Sequence, residues 1–228
     1  MSSPEQPVIY KPARDNSTAK GCGIGCLVLL GALAVIAGVG IYVVWSMSGA
    51  FFENFTQEAP RPLPPITMPQ EQQAALIAQV NAFAESLESG TAVEPLRLSA
   101  DDINVLLAHF GADAPLFAQN IHVTIDDDLL KADVSIPTKA FGLAAGRFIN
   151  GTGVFNVRLE NGDMAVYLQD LTVGSVSIPE AALAAFRQEN LAAEAAKTPE
   201  ARRLISRMES ITVSNGEIVL TPRTGGNP

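Results

Sequence analysis

The sequence predicts an α+β protein: one transmembrane helix followed by an extracytoplasmic antiparallel sheet of about six strands, with helices packed on one face. Three observations predict it. No Asp, Glu, Lys, Arg or His occurs between Lys20 and Glu53, in a chain of 228 residues of which 17% are charged. Three later blocks alternate apolar and polar residues around short polar turns, as half-buried strands do. Other blocks repeat apolar residues at three and four positions, as helices do.

The uncharged stretch comes first. Ile24 to Trp45 reads IGCLVLLGALAVIAGVGIYVVW, about 33 Å long as a helix and enough to cross a hydrocarbon core of roughly 30 Å. A lone span must pair its own backbone groups, so helix is the reading, with Tyr42 and Trp45 suited to the headgroup layer. The preceding tail carries Lys11, Arg14 and Lys20, whereas the residues just after the span carry only Arg61. The positive-inside rule then leaves residues 1–20 in the cytoplasm and the remainder outside it, in the cell (inner) membrane. A cleaved signal peptide is the alternative, with Ser46-Met47-Ser48 as a cleavage-like site, but its apolar core would be shorter, about 7–15 residues. The span is read as a signal anchor. Gly21 and Gly25, and Ala34 and Gly38, form small-xxx-small pairs that would let two such helices approach closely.

The expected organisation is a disordered tail (1–20), the membrane helix (21–45), a Pro-rich spacer (46–69), the folded domain (70–222) and a disordered end (223–228). Pro60, Pro62, Pro64, Pro65 and Pro69 make the spacer semi-rigid and extended, so that it lifts the domain off the bilayer. The sharper reading of the same prolines is a ligand for a partner domain.

Leu76, Ile77, Val80, Phe83, Ala84 and Leu87 define a helix over 70–88, stopped by Gly90. A short strand at 94–98 follows. Ser99 and Asp102 then form an acidic capping box ahead of Ile103, Leu106, Leu107 and Phe110. The first hairpin runs from Ile121 to Pro137 around Asp126-Asp127-Asp128. The second surrounds Asn161-Gly162 and the third Asn215-Gly216, both strong two-residue turn signals. Pro179 opens a helix to about Ala196, and Thr198-Pro199 starts another that carries Leu204, Ile205 and Met208.

The chemistry-bearing residues are few. His109 and His122 are unconnected by any motif and read as surface histidines. Asp126-Asp127-Asp128 lacks the alternating spacing, the Gly and the distal Glu of a calcium loop, so it reads as a solvated turn. Asp101 and Asp102 are explained by the first turn of a helix. Asn54-Phe55-Thr56 and Asn150-Gly151-Thr152 match a glycosylation sequon. Both cysteines, Cys22 and Cys26, fall at the membrane edge, so the domain has no thiol nucleophile and no cysteine metal ligand. The expectation is a protein that is not an enzyme and takes no cofactor or metal. A net charge of −9 without a basic cluster also excludes nucleic acid.

Between two strands, Phe141-Gly142-Leu143-Ala144-Ala145-Gly146-Arg147-Phe148 is rich in small and apolar residues. A buried crossover or short helix explains it. The sharper reading makes Phe141, Leu143 and Phe148 one lip of an apolar ligand groove.

Leu96 to Leu107, read as a strand and then Ser-x-x-x-Ile-Asn-x-Leu-Leu, resembles a motif of YpmS-like proteins. Leu171 to Pro179 resembles their Gly-x-hydrophobic-x-hydrophobic-Pro joint, and Ile211 to Leu220 their closing hairpin. The resemblance covers residues 94–222 in element order. It implies a single-pass, membrane-anchored bacterial protein of a family without a known function. A more distant similarity to tubular lipid-handling domains implies a lipid role by fold analogy alone. The function expected is envelope assembly or organisation through protein contacts, the alternative being a lipid or apolar-ligand module with a groove between sheet and helices. The partners implied are the lipid bilayer, with a second copy, an envelope protein or a lipid ligand beside it.

Overall fold

Helix α1 (Gln70–Ser89) turns its apolar stripe of Leu76, Phe83, Ala84 and Leu87 inward. It ends where expected, because Gly90 takes the left-handed conformation (φ 71°). The Gly90 and Thr91 N–H groups donate to the Leu87 and Ser86 carbonyls, closing a Schellman motif. The computed structural model describes residues 53–91, 94–111, 119–126, 128–141, 146–174, 176–177, 180–193 and 199–223. The expected membrane segment, with Gly21, Gly25, Ala34 and Gly38, lies outside the described residues. Among the described residues no helix is long and apolar enough to cross a membrane.

After α1 come β1 (Leu96–Ser99) and α2 (Ala100–Phe110). The capping box is present in full: Ser99 Oγ accepts from the Asp102 N–H, and Asp102 Oδ2 accepts from the Ser99 N–H at 2.8 Å. Then follow β2 (Ile121–Asp126), β3 (Leu129–Pro137), a 3-10 turn (Thr138–Phe141), β4 (Phe148–Glu160), β5 (Asp163–Val173) and the two-residue β6 (Val176–Ser177). Helices α3 (Glu180–Gln188) and α4 (Pro199–Ser206) precede the closing hairpin of β7 (Met208–Ser214) and β8 (Glu217–Pro222). All three expected hairpins form. Asn161 and Gly162, like Asn215 and Gly216, both have positive φ, as a type I′ turn requires. Helix α3 stops at Gln188, well before Ala196, because Asn190 leaves the helix to bond β5. Pro179 and the 194–198 joint lie outside the described residues.

The expected single sheet of about six strands is corrected to two antiparallel sheets. One has the order β1-β8-β7 and the other β2-β3-β4-β5-β6. The reason lies at the edges of the larger sheet, where a strand seeking a partner would add. Asn104 of α2 donates to the Val123 carbonyl and accepts from the Val123 N–H, both at 2.8 Å, and so occupies the open side of β2 as a strand would. On β5, in the stretch that the two-residue β6 leaves unpaired, Asn190 accepts from the Val166 N–H and donates to the Met164 carbonyl, both at 3.0 Å. With these backbone positions taken by side chains, the closing hairpin pairs with β1, Leu96 opposite Leu220 and Leu98 opposite Ile218.

The helices therefore do not all sit on one face of one sheet. Helix α2 lies against β1 and β2, α3 and α4 against β5, and β7 against β4. A single apolar cluster joins these layers, with Val123, Leu130, Val134, Phe155, Val166 and Leu171 from the larger sheet and Ile211 and Ile218 from the smaller. On the larger sheet the residues between these, Asp133, Ser135, Asn150, Thr152, Arg158 and Tyr167, face the other way.

Candidate functional site

That outward face is where the polar chemistry gathers, and the chain's own Pro-rich segment covers one end of it. The segment expected to be a free spacer is docked. Gln57 and Phe148 exchange both backbone hydrogen bonds at 2.8 Å, making a one-residue extension of the sheet. Phe55 and Thr56 are buried. Arg147 donates from Nε to Thr56 Oγ1 (2.6 Å) and from Nη2 to the Thr56 carbonyl (2.8 Å), holding the turn from both sides. Gly174, at φ 63°, passes so close that a Cβ there would meet the Asn54 carbonyl oxygen at 2.5 Å.

Arg61 is the second clamp. Its guanidinium Nη1 donates to Asp133 Oδ1 (2.6 Å), Thr152 Oγ1 (2.7 Å) and the Gly151 carbonyl (3.1 Å). Thr152 Oγ1 in turn donates to Asp133 Oδ1 at 2.6 Å. The Arg61 N–H reaches Ser135 Oγ and Asn150 Oδ1, while Asn150 Nδ2 donates to Gln57 Oε1 and the Ala59 carbonyl. Asn150 is fully buried, so it is closed to glycosylation; its sequon is a structural coincidence. Ser135 and Asn150 are directly opposed across β3 and β4, as are Asp133 and Thr152, so alternation alone lines these acceptors up beneath the strap. Among the described residues no buried side-chain N or O lacks a hydrogen-bond partner. The arrangement holds chain to chain. Asp133 Oδ1 is held by Arg61 and Thr152.

Toward the far end of the same face a second cluster stands uncovered. Arg158 sits over the Tyr167 ring, 4.7 Å from its centroid, and approaches Glu160 Oε2 at 3.3 Å. Tyr167 Oη donates to the same Glu160 oxygen at 2.9 Å. The hydrogen bond to Glu160 holds the Tyr167 phenol above its ordinary pKa of 10.0, with burial and the Glu160 charge adding to the shift and Arg158 opposing it.

The expected groove residues are spread between described and undescribed positions. Phe148 opens β4, half-buried, with its backbone committed to Gln57. Phe141 ends the 3-10 turn, and Leu143 lies outside the described residues. His109 is exposed at the end of α2, edge-on to Phe110; His122 is on β2 opposite Asp133. Asp126 pairs with Lys131, and Asp127 lies outside the described residues. Among the described residues no three His, Cys, Asp or Glu side chains are grouped to hold a metal ion.

Sequence reasoning missed the strap and its acceptors. The one available signal was Arg61, an isolated cation in an otherwise apolar Pro-rich run, with a polar Asn-x-Thr on the long strand to receive it. Comparison with family models, curated proteins and solved structures finds no match.

Proposed function

We propose that this is a membrane-anchored protein whose domain lies outside the cytoplasm and acts without catalysis, in envelope assembly or organisation through protein contacts. In this reading the uncharged stretch Ile24–Trp45 is the anchor, and the charges of Lys11, Arg14 and Lys20 keep the first twenty residues in the cytoplasm. The observation that carries the reading is the strap. Only residues 46–52 separate Trp45 from the first described residue of the domain, Glu53, and from Glu53 onward the chain is clamped to the sheet by Arg147, Gln57 and Arg61. Such clamping suits a domain that must present one surface to a neighbour, because a fixed attitude removes orientational freedom that binding would otherwise have to overcome. The resemblance to YpmS-like proteins supports the same topology.

Native mass spectrometry of the detergent-purified full chain tests the reading. The expected spectrum contains a multimer of this chain or a stoichiometric protein adduct, without retained lipid. A monomer carrying lipid would replace the reading by the alternative, an apolar-ligand module. A reporter active only outside the cytoplasm, fused after Pro228, should be active; activity of a cytoplasm-only reporter there would overturn the orientation.

A further inference from the structure

We infer that the domain meets an anionic lipid surface with one defined end: the end formed by the Thr138–Phe141 turn, Arg147 and the start of β4. The Asn161–Gly162 end then points away. The inference rests on the anchored reading above and adds which surface faces the bilayer.

The chain enters the fold at that end. Arg147 holds Thr56, Gln57 pairs with Phe148, Gly174 leaves room for Asn54, and the Thr138 N–H and hydroxyl both donate to the Arg147 carbonyl. These residues are the end of β3, the start of β4 and the end of β5, which adjoin in the sheet. The eight peptide steps from Trp45 to Glu53 reach at most about 28 Å when fully extended. Strand β4 runs from Phe148 to Glu160, a rise of about 40 Å. The tether therefore keeps the entry end near the bilayer and is too short to let the whole hairpin turn over.

A tether alone would still allow the domain to lie flat, and charge decides against that. At the entry end Lys139 is exposed and, with Arg147, balances Glu53 and Glu58. Among the described residues, the opposite end carries four carboxylates, Asp126, Asp128, Glu160 and Asp163, against Lys131 and Arg158. An anionic headgroup layer, which attracts nearby Lys and Arg, repels the second end and tolerates the first.

The full chain with Cys22→Ser and Cys26→Ser, reconstituted in nanodiscs of phosphatidylcholine and phosphatidylglycerol, tests this. A fluorophore is attached through Ala140→Cys or, separately, Asp163→Cys, both exposed positions, and the nanodiscs carry a nitroxide-headgroup lipid as quencher. The label at 140 should lose fluorescence while the label at 163 keeps it. Releasing the strap with Arg61→Ala and Arg147→Ala together should bring the two losses together. Equal losses at both positions in the parent protein, none at 140, or a greater loss at 163 would overturn the inference. Co-flotation with the nanodiscs is scored in parallel. A chain that does not float overturns the anchored reading and the inference with it; one that floats without the contrast overturns the inference alone.

Discussion

Two clusters on one face of the five-stranded sheet contain the same three chemical groups. Arg61, Asp133 and Thr152 bring a guanidinium, a carboxylate and a hydroxyl together under the strap. Arg158, Glu160 and Tyr167 do so near the opposite end, in the open. The first set joins residues 72 apart in sequence; the second joins residues two and seven apart. The first is also backed by buried Asn150 and Ser135, while the second faces water. Similar groups are thus used as a long-range fastener in one place and as local surface order in the other. Neighbouring burial, and the loop each contact closes, determine what they contribute.

The comparison is broken most completely by removing the strap. A fragment of residues 70–228 should be about 3–5 kcal/mol less stable than one of residues 53–228, from the lost burial of Phe55 (about 1.5–3 kcal/mol) and several hydrogen bonds of about 1 kcal/mol each. The polar face would be rehydrated rather than stranded, which is why the figure is no larger. Urea denaturation of the two fragments measures it, and coincident midpoints would show that the strap adds nothing to stability.

A narrower break exchanges single carboxylates. Asp133→Ala should cost about 2 kcal/mol, because it leaves the partly buried Arg61 guanidinium without its counter-charge and Thr152 without its acceptor. Glu160→Ala should cost less than about 0.5 kcal/mol and lose even that in high salt, as exposed pairs do. Equal costs, measured at low and high salt, would erase the distinction between the two clusters.

The smallest effect sharpens the open cluster alone. Tyr167 holds its proton above the usual pH 10.0 because its hydroxyl bonds Glu160. The unfolded chain loses that proton first, so this contribution to stability is complete below about pH 10 and declines as the pH rises through the folded-state value. Tyr10 and Tyr42 precede residue 53, so the 53–228 fragment has one tyrosine, and its phenolate absorbance reports the group directly. Glu160→Gln should move the titration back toward the ordinary value; an unchanged curve would mean that Glu160 is not the cause.

Much of this architecture is legible in the sequence because the information is local. Ser99 and Asp102 cap a helix within four residues, Asn161-Gly162 and Asn215-Gly216 specify turns by themselves, and Gly90 marks a helix end. Alternation also gives the correct face for Val166, which is buried, and for Asp133, which is not. It does not say which hairpin pairs with which. Asn104 and Asn190 take backbone positions of the larger sheet that a further strand could have used, and their partners lie 19 and 24 to 26 residues away. An asparagine on a helix reads as a poor helix former until its partner strand is known. The candidate site was less legible. Prolines between Pro60 and Pro69 read as a spacer on composition, whereas Arg61 finds acceptors 72 to 91 residues further on. Distances in sequence of that size leave no periodic trace.

The two asparagines have a consequence for how anything else can recognise this protein. Exposed sheet edges invite an incoming peptide to join as an extra strand, a mode that reads backbone and accepts many sequences. Here carboxamides already occupy the Val123 and Met164–Val166 positions where such a peptide would dock on the larger sheet. A visitor to that sheet is left with side chains to read, and side chains discriminate. At those positions strand addition gives way to recognition by side chains.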